Sequence, residues 1–317
     1  MKAIVQNGYG SIEHISVKEV EPPVVEDDQV LVEVHASSVN AGDLFTVEGS
    51  PYVIRFGTGF PKPNDHILGW DVAGVVKELG AGVNDLSVGD RIFGSCESAF
   101  AELVAIDRKA LARKPAGLSF EEVAAVPTAA ITALQQLRDS GGLTEGAEVL
   151  VLGAAGGVGS FAVQIAKSLG ATVTGLCRTD KIEFVRSIGA DRIIDYQTED
   201  FTRGDARFDL ILDNVGQYSI SRMKRLLTPR GRLVPNSGHG GMNYVIRAMV
   251  QGLISNKVTG MKVANLNRRD FELLAELIAQ GNVNPVIDKV FPFEETAQAL
   301  DYLDRGDVRG KVVIRMV

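Results

Sequence analysis

VLVLGAAGGVGSFAVQIAKSLGATVTGLCRTDK, residues 149–181, decides the fold. Val149-Leu150-Val151-Leu152 is an unbroken apolar run, the pattern of a strand buried on both faces. Gly153 to Gly159 is a turn of small residues, and Phe161, Val163, Ile165, Ala166 and Leu169 then fall at helical spacing until Gly170. Ala171 to Cys177 is a second β-rich run. Strand, glycine turn, helix and strand form the βαβ unit in which a pyrophosphate sits on a helix N-terminus. The strict G-x-G-x-x-G spacing is not met, because Ala154 stands at the first glycine, so the flanking elements carry the reading.

The end of the second strand distinguishes the two nicotinamide cofactors. NAD-binding versions place an acidic residue about 20 positions on, to hold the ribose 2′-hydroxyl. Leu176-Cys177-Arg178-Thr179 occupies that place here, with Lys181 just beyond. Two cations and a hydroxyl suit a 2′-phosphate, which takes charge-assisted donors. The expected cofactor is therefore NADPH; the alternative is that Arg178 and Lys181 only decorate a solvated loop.

A chain of 317 residues with 45% hydrophobic and 23% charged residues supports about two domains with a sizeable core. The net charge of −7, without a basic run, makes nucleic acid a poor partner. Cys96 and Cys177 are the only cysteines, which leaves no disulfide framework and no four-Cys zinc site. The uncharged run Val149–Ala166 is long enough to mimic a membrane span, but its glycines and strand-turn-helix pattern argue against one. No leader pattern precedes the first strand, and a cytoplasmic location without membrane association is expected.

Residues 1 to about 120 are β-rich, with strands expected at Lys2–Gln6, Ser16–Glu19 and Val30–Ser38, one entered by 67–76, and a last one at Phe100–Ala105. Gly49–Asn64 reads as an irregular loop. Short strands between Gly/Pro turns suggest a small barrel-like domain. Ser119–Leu137 is Ala-rich and helical, interrupted by Pro127, with Ser119 and Glu122 as a capping box. Strands are then expected at Val149–Leu152, Thr172–Cys177, Arg192–Asp195, Asp209–Asp213, Arg232–Pro235 and Val258–Ala264, alternating with helices such as Lys181–Ile188 and Ile220–Leu227. This is an α/β pattern with a doubly wound parallel sheet. Helices at Asn267–Gln280 and Phe293–Asp304 and strands at Val286–Val290 and Lys311–Val317 make a tail expected to fold back on the first domain. The domains are thus 1–120 plus 267–317, and 121–266.

Further motifs point to a family. Asn40-Ala-Gly-Asp43, Ile67-Leu-Gly-Trp-Asp-Val-Ala-Gly-Val-Val76, Gly89-Asp-Arg-Ile92, Ala124-Ala-Val-Pro-Thr-Ala-Ala130, Gly189-Ala-Asp191, Ile194-Asp-Tyr196 and Gly310-Lys-Val-Val-Ile314 occur in order. Over essentially the whole chain they resemble the medium-chain dehydrogenase/reductase superfamily, in its zinc-free quinone oxidoreductase and enone/alkenal reductase branch. The resemblance implies a Rossmann dinucleotide-binding domain and a GroES-like catalytic domain. Zinc-dependent members carry a Cys near Ala41–Asp43 and Gly-His-Glu where this chain has Gly69-Trp70-Asp71. Without those ligands no tetrahedral nitrogen/sulfur site is expected, and the four histidines are scattered, so no metal is expected. The implied activity is hydride transfer from NADPH to quinones or to the C=C bond of α,β-unsaturated carbonyls, with hydrogen-bond donors holding the developing charge. The alternative is an NADPH-binding redox sensor or assembly factor with little turnover.

The resemblance also implies roles. Asn40 is a donor candidate at the nicotinamide pocket, or else caps the turn after its strand. Tyr52, in the loop over the expected cleft, is a proton-donor candidate, or packs under that loop. Thr128 matches the position contacting the nicotinamide side, or bonds its own helix backbone. Trp70 fills the space of a lost ligand. Ala155, Gly156, Gly157 and Val158 offer backbone N–H groups to the pyrophosphate, and Arg178, Thr179 and Lys181 meet the 2′-phosphate. Tyr196 lies near the adenosine phosphate or is a core-edge residue. Asn214, Asn236 and Ser237 follow strands whose C-terminal ends face ligand, and Lys311 lies close to the cofactor in some relatives. Residues 258–264 are the expected edge through which a homodimer forms.

Overall fold

The computed structural model describes residues 1–50, 52, 55–64 and 66–316. The chain divides into two units, Met1–Ile131 with Asn265–Gly281 and Pro285–Val317, and Thr132–Ala264 with Asn282–Asn284. Composition placed the junction at residue 120, whereas in the structure the helix Phe120–Ala124 packs on the first unit's strands Gln29–Val39 and Asp71–Leu79. Phe120 stacks on His35 with ring centroids 4.4 Å apart, and the Arg315 Nε donates to Glu121 at 2.8 Å. Ser119 and Glu122 form the expected capping box, each side chain bonding the other's backbone N–H.

The first unit is built on Gln29–Val39. Val30, Val32, Val34 and Ala36 alternate onto one buried face, the period-two signature of a strand with one face on the core. The sheet runs Ile287–Pro292, Lys311–Arg315, Gln29–Val39, Asp71–Leu79, Arg91–Ser95, Leu111–Arg113, with Leu103–Asp107 also paired to Gln29–Val39. A second sheet runs Ile15–Glu19, Lys2–Gln6, His66–Ile67. The strand expected at Phe100–Ala105 starts later, because Phe100 and Ala101 are claimed by the N-terminal strand. Ile4 N–H donates to the Phe100 carbonyl at 2.8 Å, and Ala3 bridges Ala101. Leu111–Arg113 is a further strand after it. Two short helices were not read from sequence: Ala41–Glu48, directly after Asn40, and the single turn Arg55–Thr58 inside the Gly49–Asn64 loop. Pro51, Val53 and Ile54 of that loop, and Val317 of the closing strand, lie outside the described residues.

The second unit carries the parallel Rossmann-type sheet in the order Arg192–Asp195, Thr172–Cys177, Glu148–Leu152, Phe208–Asp213, Leu227–Pro235. Val149, Leu150, Val151 and Leu152 at its centre are completely buried, as the unbroken apolar run requires. The sixth strand expected at Val258–Ala264 does not form. Only Val258 bridges Leu233, with Leu233 N–H donating to the Lys257 carbonyl at 2.8 Å and Thr259 N–H to the Leu233 carbonyl at 3.0 Å. The next ladder donor would be residue 235, and Pro235 has no N–H, so the pairing stops. Conversely, a helix not read from the sequence, Gly241–Ile254, follows the strand Leu227–Pro235, anchored by buried Tyr244 and Ala248. Among the described residues, no helix is long and apolar enough to cross a membrane.

The glycine turn shows why its spacing matters. Gly153 has φ +69°, a left-handed conformation that side chains disfavour. A Cβ on Gly159 would stand 2.0 Å from the Gly153 carbonyl oxygen. Gly159→Ala is expected to force turn and helix apart and to destabilise the protein by about 1–3 kcal/mol, the usual cost of overpacking; urea unfolding of the variant against the parent measures it.

Candidate active site and cofactor site

The first unit gathers its buried polar groups around Asp71. The Asp71 carboxylate opens the strand Asp71–Leu79 and is fully buried. Its Oδ1 accepts from Thr128 N–H at 2.8 Å, in the first turn of the helix Pro127–Gln135, where the helix dipole favours negative charge. Its Oδ2 accepts from Ser38 Oγ at 2.5 Å and Asn40 Nδ2 at 2.9 Å, and faces Lys311 Nζ at 3.4 Å. Lys311 Nζ also donates to Asn40 Oδ1 at 2.5 Å and to the Val39 carbonyl at 3.1 Å. Burial pushes the Lys311 ammonium below its ordinary range, against the pull of Asp71.

Asp43 is the second buried carboxyl. Its Oδ2 accepts from Asn40 N–H at 2.8 Å at the start of the helix Ala41–Glu48. Burial first, and the neighbouring Asp71 carboxylate after it, push Asp43 up to about 7, although the Asn40 bond works the other way.

Asn40, Thr128 and Lys311 are thus brought together, but not as free donors. The Asn40 amide spends its hydrogens on Asp71 and, at 3.3 Å, on the Ser38 carbonyl, and its oxygen on Lys311. Lys311 sits 2% exposed beneath it as a structural cation. Thr128 differs, because its Oγ1 is buried without a hydrogen-bond partner among the described residues. A buried hydroxyl left unsatisfied costs free energy until a ligand or water meets it. Tyr52 is not part of the group: it is 71% exposed, and its ring lies 4.6 Å from the Arg55 guanidinium, which also stacks on Tyr9. Trp70 stands over Gly42, where a Cβ would be 4.0 Å from its Nε1. Sequence reasoning passed over Asp71, Asp43 and Ser38. The available signal was the acid kept in Gly69-Trp70-Asp71, even though the histidine before it is gone.

The second unit presents the glycine turn. Gly156 is the N-cap of the helix Gly157–Ser168, and its own N–H is used by the Gly153 carbonyl at 3.0 Å. That removes Gly156 from the expected amide donors and leaves the helix's first-turn N–H groups, at Gly157 and Val158, without intrahelical carbonyls. A Cβ on Gly156 would meet nothing but the Gly153 oxygen, at 3.4 Å. The missing side chain, the aligned dipole and the orphan amides fit a dinucleotide pyrophosphate.

Around the ribose end, Arg178 makes a two-pronged bond to Asp180, Nε to Oδ1 at 2.6 Å and Nη2 to Oδ2 at 3.0 Å. Thr179 Oγ1 donates to Asp195 Oδ2 at 2.5 Å. Lys181 is buried, and Tyr196 is 47% exposed at the tip of the neighbouring strand Arg192–Asp195. Asn214 Nδ2 donates to the Leu152 carbonyl at 3.1 Å, and Asn236 Nδ2 to Asn214 Oδ1 at 2.8 Å, so these two amides brace the C-terminal ends of three adjacent strands. Ser237 Oγ accepts from His239 N–H at 3.1 Å. Asp213, not singled out from sequence, accepts from Val215 and Gly216 N–H groups and from Tyr244 Oη at 2.6 Å. Burial foremost, and that carboxylate, raise the Tyr244 hydroxyl far above its ordinary range.

Two family profiles match the chain, an alcohol dehydrogenase GroES-like domain over residues 26–136 and a zinc-binding dehydrogenase over residues 188–314. The chain is 33% identical to 2-methylene-furan-3-one reductase of Solanum lycopersicum, over 100% of its own length and 79% of that protein's. It is 32% identical to a chloroplastic NADPH-dependent alkenal/one oxidoreductase of Arabidopsis thaliana, over 99% of its length and 79% of the relative's. The chain belongs to the medium-chain dehydrogenase/reductase superfamily. The quinone oxidoreductase of Coxiella burnetii superposes with a TM-score of 0.88 at 28% identity, covering 100% of this chain and 99% of that one. Within the superfamily the chain is an oxidoreductase of the quinone oxidoreductase and enone reductase branch. One profile is called zinc-binding, yet among the described residues no three His, Cys, Asp or Glu side chains converge to hold a metal ion.

Two outcomes follow for this superfamily member. Lys311→Met leaves the buried Asp71 carboxylate without its cation and is expected to cost about 3–5 kcal/mol in urea unfolding; adding Asp71→Asn should recover part of the loss. Asp43, raised when folded, stabilises the protein fully below its ordinary value of 3.8, and that contribution is lost as pH rises to about 7. Asp43→Asn is expected to flatten stability against pH across that window, removing a slope worth on the order of 4 kcal/mol in total.

Proposed function

We propose that the chain is an NADPH-dependent, zinc-independent reductase that delivers hydride to quinones or to the C=C bond of α,β-unsaturated carbonyls. The observation that carries the reading is the occupation of Asp71. At the Gly-His-Glu position of zinc enzymes, His is replaced by Trp70, and the remaining acid is taken up by Ser38, Asn40, Thr128 and Lys311. With that donor set a Lewis acid has no ligands to hold it, and removal of an alcohol proton would lack its usual support. Reduction of an electron-poor acceptor needs less, because its developing charge is delocalised and hydrogen-bond donors suffice. The names of the tomato and Arabidopsis relatives support the acceptor class and the cofactor.

NADPH, when bound, supplies the hydride. The chain's own part is to hold and orient. Gly157 and Val158 N–H groups receive the pyrophosphate, Arg178 with Lys181 receives the 2′-phosphate, and the Thr128 hydroxyl, which lacks a partner among the described residues, suits the nicotinamide carboxamide. Tyr52, exposed on its loop, remains the side chain proposed to return a proton, with water as the competing source.

A cytoplasmic location is part of this reading, supported by two cysteines that are both free thiols. So is a homodimer. Supporting it, Leu253 and Ile254 at the end of the helix Gly241–Ile254, and Val263 in the irregular segment after Val258, expose 87%, 72% and 97% of their surfaces, apolar area that a second copy would cover. Steady-state NADPH oxidation with a panel of quinones, alkenals and enones tests the function. Turnover with at least one acceptor class is expected; tight NADPH binding with no turnover on any of them would replace the enzyme with a sensor or assembly factor.

A further inference from the structure

The ribose end of the second unit is electrically balanced rather than basic. Arg178 and Lys181 supply the cations, and Asp180 and Asp195 stand among them. Arg178 and Asp180 are 31% and 45% exposed, and they meet fork to fork, the geometry in which a guanidinium also takes a phosphate. Arg178 caps and Asp180 lies on the 3-10 turn Thr179–Lys181, directly beyond the C-terminal end of the strand Thr172–Cys177 where ligands of such sheets bind. Asp180 also lies just past the strand end at which NAD-binding proteins place the acid for a ribose 2′-hydroxyl.

We propose that Asp180 is a specificity-determining residue, a built-in competitor that occupies the Arg178 guanidinium and limits the preference for NADPH over NADH. This rests on the NADPH reading above. An incoming 2′-phosphate has to displace Asp180 from Arg178 and then stands near its carboxylate. Both effects oppose a phosphate, whereas an unphosphorylated ribose meets neither and finds in Asp180 an acceptor for its hydroxyl. The nearby Thr179 does not relieve this competition, because its hydroxyl is committed to Asp195 at 2.5 Å and shared with Gln197 at 3.1 Å. The guanidinium–carboxylate pair is partly exposed and therefore weak enough for a dianion to open.

The test uses ligand binding to the full chain, read by calorimetry, with 2′,5′-ADP and 5′-AMP as probes beside NADPH and NADH. Asp180→Asn keeps the side chain's size and removes its charge. It is expected to tighten 2′,5′-ADP and NADPH about three- to tenfold while 5′-AMP changes less than twofold and NADH stays level or weakens. Unchanged or weaker 2′,5′-ADP binding by Asp180→Asn overturns the proposal. The underlying assignment is checked separately with Arg178→Ala. Loss of 2′,5′-ADP affinity beyond that of 5′-AMP upholds the phosphate site, and equal effects on both probes remove it. A gain in Asp180→Glu equal to that in Asp180→Asn would also count against the idea, since the longer acid keeps the competing charge.

Discussion

The first unit depends on one buried carboxylate. Asp71 is reached by three segments far apart in sequence: the end of Gln29–Val39 through Ser38 and Asn40, the helix Pro127–Gln135 through the Thr128 N–H, and the final strand through Lys311. A charge inside a protein is tolerated only when surrounding donors replace the water it has lost. Here those donors come from every element that must be aligned. The same bonds that satisfy Asp71 therefore fix where Asn40 and Thr128 stand. That ties the cost of burying the charge to the positioning of the polar groups above it.

This arrangement also explains the division of labour among the polar groups. Asn40 is oriented on both sides of its amide, by Lys311 at the oxygen and Asp71 at the nitrogen, so it is a rigid wall rather than a donor in reserve. Thr128 is held by its backbone and keeps its hydroxyl for something else. In the second unit, Asn214 and Asn236 likewise serve the strand ends, and the helix amides at Gly157 and Val158 are left for a ligand. In each unit the preorganising residues outnumber the groups with capacity to spare, as expected of a site that must not reorganise when charge develops.

What could be read from the sequence was what is local. The Val149–Leu152 strand, the glycine turn, the helix after it and the Ser119/Glu122 cap each follow from residues within a few positions of one another. The Asp71 cluster was illegible because directly bonded members are separated by up to 271 positions, and nothing in the triplet Gly69-Trp70-Asp71 announces Lys311 as partner. The helix Gly241–Ile254 was masked by the glycines at its start. The absent sixth strand turned on a single missing N–H, at Pro235 of the neighbouring strand rather than in the segment itself. Charge at the ribose end was counted from Arg178 and Lys181, without the carboxylates that the turn folds against them.

The threading of the first unit has a consequence for how the protein is made. Its closing strand Lys311–Arg315 lies inside the sheet, between Gln29–Val39 and Ile287–Pro292, and carries the cation for Asp71. On a ribosome the segment before it emerges first but has to wait, with its sheet incomplete and an unneutralised acid, until Lys311–Arg315 leaves the exit tunnel. The strands of the second unit's sheet, contained within Glu148–Pro235, are complete much earlier. Assembly thus runs against the order of synthesis, with the middle of the chain able to fold before its beginning.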